Sequence, residues 1–193
     1  MPGTLKLNSG GAGNLILTPS GSVGSDVTVT VPAVTGTAMV SANMPAFSAY
    51  LSANQSGISQ NTWTKATLNT EEFDTANCFD STTNYRFTPN VAGYYQVNFT
   101  LWASSTNQYG SAVAGSIYKN GSAYKRTTIN LVGGSGGTTP INEVGTQVSA
   151  VIYMNGSTDY LEFYGYEYGY SANGIIEGGT TYYTNASAVL VRA

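Results

Sequence analysis

The chain of 193 residues contains no histidine, which removes Ser-His-Asp and Cys-His catalysis and most zinc chemistry. Carboxylates are left as the catalytic possibility. Glu162, Glu167 and Glu177 are candidates for the acid pair of a glycosidase, which needs two carboxyl groups roughly 5–9.5 Å apart. Ten acidic residues will place some pair at that separation by chance, so the expectation is a non-catalytic protein. Asp74 and Asp80 flank Cys78 and carry oxygens of the kind calcium takes. No D-x-D-x-D-G loop is present, and turn aspartates ordinarily cap their own backbone; no cofactor is expected, with calcium the alternative. The glycine run at 133–137 lacks the Lys-Ser/Thr of a phosphate loop. The Asn-x-Ser/Thr triplets, such as Asn120-Gly121-Ser122 and Asn155-Gly156-Ser157, are read as chance matches in a chain this rich in Asn, Ser and Thr.

Tyrosine is the more informative residue. Tyr160, Tyr164, Tyr166, Tyr168 and Tyr170 fall at even positions, while Leu161 and Phe163 fall at odd ones, so an extended strand would array the five rings on one side. A ring that is apolar in body and polar at its tip suits a subunit seam or a face that binds sugar or protein. Tyr160 and Tyr164 are expected at a seam, and Tyr168, Tyr170, Tyr182 and Tyr183 in exposed loops as a candidate ligand surface.

The elements that must position these rings are strands. From Tyr95 onward Tyr95, Val97, Phe99 and Leu101 share one face, and Gln96, Asn98, Thr100 and Trp102 share the other, so one face is buried. Just before, Tyr85 and Phe87 flank Arg86 and a break at 89–93 separates two strands. Other strands are expected at 46–51, 63–73, 127–131, 148–154 and 160–166, with a polar loop at 52–60 and an exposed turn at Glu71-Glu72. Val113, Gly115 and Ile117 alternate up to Asn120-Gly121, a strong two-residue hairpin signal. Residues 186–191, with Phe47 and the pair Val189 and Val191, are expected in the head core or the seam between subunits. About eight strands and no helix predict an all-β fold, and fit a jelly-roll sandwich.

Composition agrees. Hydrophobic residues make up 41%, enough for one ordinary domain plus an appendage. Charged residues make up only 9% against a typical ~25%, as in a β-protein with uncharged polar surfaces. Seven scattered basic residues and a net charge of −3 offer no stripe for a phosphate backbone, so nucleic acid is not an expected partner. Cys78 is the sole cysteine and has no intrachain partner. No apolar run reaches the ~18–20 residues that span a bilayer, so membrane insertion is not expected. The opening MPGTLKLNSGG lacks the charged and apolar regions of a secretory signal, which makes synthesis in a cytoplasm the expectation.

Residues 1–44 read as an arm. Leu15, Ile16 and Leu17 before Pro19, and Val27, Val29 and Val31 before Pro32, form two short strands that cannot bury enough surface alone and need a partner to cover them. The boundary is expected at Asn43-Met44-Pro45, followed by a head at 45–193.

Phe79-Asp80, Phe87 ahead of Pro89, and Gly93-Tyr94-Tyr95 opening an alternating strand resemble the globular head of complement 1q, a family related in fold to tumour necrosis factor. Ala46-Phe47-Ser48-Ala49, Tyr118-Lys119-Asn120-Gly121 and Ser187-Ala188-Val189-Leu190-Val191 resemble further segments of that head, in the family's order and over residues 45–193. The resemblance implies a homotrimer. The arm, with Pro-Ala-Val-Thr-Gly-Thr-Ala-Met-Val after its second strand, resembles segments of tailed-bacteriophage fibre and virion proteins. That resemblance implies a structural protein at the virion surface, a decoration protein or head fibre docked on a capsid or tail protein through the arm. The alternative is a tail-fibre or receptor-binding adhesin whose head binds a host surface glycan or protein.

Overall fold

The structure is a computed structural model that describes residues 5–8, 14–17, 44–59, 61–105, 110–131, 143–169 and 174–193, with backbone alone for 5–8, 14–17, 105, 110, 111 and 169. Residues 1–36 and 37–193 form two separate units. In the first, Leu5–Asn8 (β1) and Asn14–Leu17 (β2) pair antiparallel, with Leu5 opposite Leu17, Lys6 opposite Ile16 and Leu7 opposite Leu15. The apolar run Leu15, Ile16 and Leu17 revealed β2, but β1, where Lys6 interrupts Leu5 and Leu7, was missed. The expected strand carrying Val27, Val29 and Val31 lies outside the described residues.

The second unit is built on alternation. Its strands are Ala46–Tyr50 (β3), Gln55–Ile58 (β4), Thr64–Lys65 (β5), Thr70–Asp74 (β6), Phe79–Asp80 (β7), Arg86–Phe87 (β8), Ala92–Ser105 (β9), Gly110–Lys119 (β10), Ser122–Asn130 (β11), Val144–Asn155 (β12), Leu161–Gly169 (β13), Gly174–Ile176 (β14) and Asn185–Arg192 (β15). Five of these have four residues or fewer, and the other eight match the expected number. No helix occurs among the described residues.

One sheet runs β11-β10-β13-β8-β7, with β5 also on β13; the other runs β4-β14-β9-β15-β3-β6, with β12 on the far side of β9. From β8 onward the chain changes sheet between β8 and β9, β9 and β10, β11 and β12, β12 and β13, and β13 and β14, after three earlier crossings around β5 and β6. Two antiparallel sheets joined by crossings of this kind are a jelly roll.

The buried faces meet between the sheets. Tyr95, Val97, Phe99 and Leu101 on β9 are fully buried, as are Phe47, Phe87, Leu161 and Phe163. Phe47 stacks on Phe79 at 4.5 Å and on Phe87 at 4.8 Å, and Phe99 lies 5.3 Å from Phe163. The hydroxyl of Tyr95 donates to the carbonyl of Val91 at 2.7 Å, which removes the penalty of burying it unpaired. Gly165 on β13 allows Leu101 to press against the opposite sheet, because a Cβ there would sit 2.9 Å from Leu101 Cδ1. The β10–β11 hairpin turns at Asn120 and Gly121, both at positive φ (52° and 77°), as a type I′ turn requires.

Three local expectations need correction. The stretch 52–60 contains β4, anchored by buried Ile58 and paired to β14. Glu71 and Glu72 lie in β6, where they accept hydrogen bonds from the Ser81 and Ser48 hydroxyls. The single strand expected at 63–73 is two short ones in different sheets, which alternation over so few residues does not separate.

Candidate functional site

The solvent face of the six-stranded sheet is aromatic. Along β13, Leu161, Phe163, Gly165 and Glu167 point inward, while Glu162, Tyr164, Tyr166 and Tyr168 point outward. Tyr118 of β10 stacks on Tyr164 at 4.0 Å, and Trp63, just before β5, lies 6.2 Å from Tyr118 and 5.0 Å from Tyr166. Tyr168 continues the row 6.2 Å beyond Tyr166. At the other end the Arg86 guanidinium sits 4.5 Å above the Tyr160 ring. Glu162 is buried within this row, paired with Lys65 Nζ at 2.6 Å, and accepts a bond from the Tyr164 hydroxyl at 3.3 Å. Burial first, and then the Glu162 charge, push the Tyr164 phenol up to about 12. Burial also raises Tyr118.

The solvent face of the seven-stranded sheet is different in kind. Register sets Val189, Gln96 and Val151 in one cross-strand row, Ser187, Asn98 and Ser149 in the next, and Tyr94 opposite Tyr153. Gln96 donates to Ser149 Oγ and Ser149 to Asn98 Oδ1, both at 2.9 Å. The rings of Tyr94 and Tyr153 meet edge to face at 5.4 Å. Tyr94, Val151, Tyr153, Val189 and Val191 are between 44% and 61% exposed, an apolar group on a sheet whose neighbouring rows are hydrogen-bonded amides and hydroxyls.

The residues expected at a seam or in the core therefore occupy three places. Phe47, Tyr95, Val97, Phe99 and Leu101 fill the core; Tyr160 and Tyr164 lie on the six-stranded face; Val189 and Val191 lie on the seven-stranded face. The last two are not core residues, because Ala188 and Leu190 take the inward positions of β15. Tyr168 sits in β13 and not in a loop, and Tyr170 lies outside the described residues. Tyr182 and Tyr183 do occupy the connection before β15, 4.6 Å apart, with Tyr183 edge-on to Trp102 at 6.0 Å. Tyr168 and this pair thus belong to different surfaces. Trp63, Tyr94, Tyr118, Val151 and Tyr153 were not singled out from the sequence as surface-site residues, because their neighbours are set by tertiary pairing.

The three glutamates have different surroundings. Glu162 and Glu167 are an odd number of residues apart on one strand and point to opposite faces. Glu167 faces inward, and burial alone raises it to about 7. Glu177 is buried elsewhere and accepts from the Ser104 hydroxyl. The carboxylates of Asp74 and Asp80 are engaged by their own turns. Asp74 accepts from the amides of Ala76 and Phe79. Asp80 accepts from the amides of Thr82, Thr83 and Asn84 and the Asn84 side chain, which hold its pKa far below the usual carboxylate range. Among the described residues no three His, Cys, Asp or Glu side chains gather as a metal site. Burial raises the Cys78 thiol, which keeps it unreactive.

No protein-family model matches the chain, and no curated protein matches it in sequence. Solved structures do match it in shape. It is similar to Eiger TNF from S. frugiperda, with a TM-score of 0.56 at 6% identity over 77% of this chain and 91% of that one. It is similar to murine APRIL at pH 8.5, with a TM-score of 0.54 at 6% identity over 77% of this chain and 99% of that one. At such identity the likeness is one of fold: the head is an all-β jelly roll of the tumour necrosis factor type.

Proposed function

We propose that the chain is a non-catalytic structural protein of a tailed-bacteriophage virion, a homotrimer whose arm docks on a capsid or tail protein and whose head faces outward. The observation that carries the assembly is the apolar group Tyr94, Val151, Tyr153, Val189 and Val191 on the solvent face of the seven-stranded sheet. Exposed apolar side chains grouped on one sheet face mark a protein interface, and further copies of the chain arranged about a closed symmetry axis can cover them. The arm supports docking. Its hairpin opposes Leu5 with Leu17 and Leu7 with Leu15, and two strands of this composition require a further surface to cover them.

Light scattering of the purified protein is expected to give three times 20.2 kDa, and a monodisperse monomer at micromolar concentration would remove the trimer. Docking is tested by sedimenting the full chain with particles that lack it. Binding should survive high salt, because the described arm strands carry only Lys6 as a charge and the contact is apolar plus backbone pairing. Salt-released binding would contradict it. The aromatic row on the six-stranded sheet favours a second reading, a tail-fibre or receptor-binding adhesin, since that row lies on the sheet opposite the proposed seam.

A further inference from the structure

On the six-stranded sheet β10 is low over residues 112–116 and its neighbours are tall. Before Tyr118, the outward residues of β10 are Ala112, Ala114 and Ser116; register places Asn130, Thr128 and Arg126 of β11 on one side of them and Tyr168, Tyr166 and Tyr164 of β13 on the other. Although they point to solvent, Ala112, Ala114 and Ser116 are only 9%, 4% and 0% exposed, because the flanking side chains stand over them. The result is a trough of about 470 Å³, inside the range of roughly 300–1,000 Å³ typical of ligand sites. One wall is Trp63, Tyr166 and Tyr168, and the other is Arg126, Thr128 and Asn130.

The walls differ chemically, and that difference selects a ligand. The aromatic wall is fixed in advance by the Trp63–Tyr166 and Tyr118–Tyr164 contacts, so little side-chain entropy is lost on binding. It offers flat apolar faces with hydroxyl tips. The opposite wall offers an amide, a hydroxyl and a guanidinium. The floor has no free backbone, since β10 is paired on both sides, which excludes recognition of an extended peptide by strand addition. A pyranose ring has the complementary form: a C–H face to lie on an aromatic ring and a rim of hydroxyls to bond the polar wall. Arg126 adds a charge. Among the described residues the ion pairs are Lys65–Glu162 and Lys119–Asp159, and Arg126 belongs to neither; a planar guanidinium with open donors matches a carboxylate.

We propose that this trough binds an acidic oligosaccharide, with Trp63 and Tyr166 stacking on its rings, Thr128 and Asn130 bonding its hydroxyls, and Arg126 pairing with a carboxylate sugar. All the lining residues come from one subunit, so the site stands whether or not the protein is a trimer.

The test uses the full chain, titrated by tryptophan fluorescence and saturation-transfer NMR with oligogalacturonate and sialyllactose as acidic probes and cellohexaose as a neutral one. An acidic probe should bind more tightly than the neutral one. Arg126→Gln, at an exposed position, should weaken the acidic probe about tenfold, the worth of a charge-assisted hydrogen bond, and leave the neutral one unchanged. Ala114→Leu should fill the floor and abolish binding of both, at a modest cost in melting temperature from overpacking and with the far-ultraviolet spectrum retained. No binding of either acidic probe at millimolar concentration overturns the proposal, as does wild-type affinity in Ala114→Leu. Equal affinity for acidic and neutral probes, unaffected by Arg126→Gln, overturns the assignment to Arg126. A drop in oligomeric mass for Ala114→Leu overturns the site as well, because a second copy would then occupy the trough.

Discussion

Leu101→Ala together with Gly165→Ala tests how tightly the two sheets are fitted. Leu101 is fully buried, and its Cδ1 and Cδ2 lie 2.9 and 3.3 Å from where a Gly165 Cβ would stand, with Ile176 Cδ1 also at 3.3 Å. Truncating a buried leucine costs about 2–5 kcal/mol, the larger values arising where the surroundings cannot collapse. Here they cannot. Leu101 is paired through β9 to β12, and Gly165 is paired through β13 to both β10 and β5, so the backbones that would close the gap are held in their ladders. We therefore expect about 3–5 kcal/mol for Leu101→Ala. Gly165→Ala alone drives a methyl into Leu101 and should cost about 1–3 kcal/mol by overpacking. In the double variant the new methyl enters the space Leu101 vacates, so the two costs should fall short of additive by about 1–2 kcal/mol. Urea unfolding followed by near-ultraviolet circular dichroism reads all four corners of the cycle at one fixed protomer concentration, since association shifts apparent stability. Strict additivity, or a double variant weaker than the sum, would refute the argument that these two residues share one space.

Three further outcomes follow from the faces and the buried groups. Val151→Asp, at a position 54% exposed, should dissociate the proposed trimer in light scattering while the monomer keeps its far-ultraviolet spectrum; an unchanged mass would move the seam elsewhere. Glu167, raised from 4.5 to about 7 by burial, favours the fold in its protonated form, so its contribution is complete below pH ~4.5 and is lost as the pH climbs through about 7, a difference of about 3 kcal/mol at most. Glu167→Gln should flatten urea stability across that window and be the more stable form at pH 8, and an unchanged slope would show that Glu167 ionises as freely in the fold as outside it. Incubation with acidic polysaccharides should release no new reducing ends; cleavage that disappears in Glu162→Gln would reinstate a carboxylate mechanism.

The all-β character was legible because β9 and β13 alternate over eight or more residues, long enough for period two to stand out, whereas β15 is apolar on both faces and was read as a buried strand. The Asn120-Gly121 turn was legible because only a few residue types accept positive φ twice running. β8 was found through Tyr85, Arg86 and Phe87 ahead of the break, but β5 and β7 were not resolved, since strands of two residues have no period and exist only through their neighbours. The surfaces were half legible. The even-numbered tyrosines of β13 gave the aromatic row, but the trough depends on small Ala112 and Ala114 lying between β11 and β13, and pairing order is a tertiary fact. By type, Val189 and Val191 fitted either the head core or a seam between subunits. Only the register that turns Ala188 and Leu190 inward shows them to be surface.

Strands β3 and β15 lie side by side and antiparallel, and the amide of Leu190 donates to the carbonyl of Pro45 at 3.1 Å. The point where the polypeptide enters the head and the point where it leaves are therefore neighbours. A domain with adjoining entry and exit can be spliced as a cassette into a surface loop of another protein without stretching its host. Tension applied across those two points would peel β3 from β15 one rung at a time at low force, leaving the β9–β12 ladder out of the load path. A pull from Pro45 against the proposed seam face would instead load many rungs together, so the head's mechanical strength depends on where it is held.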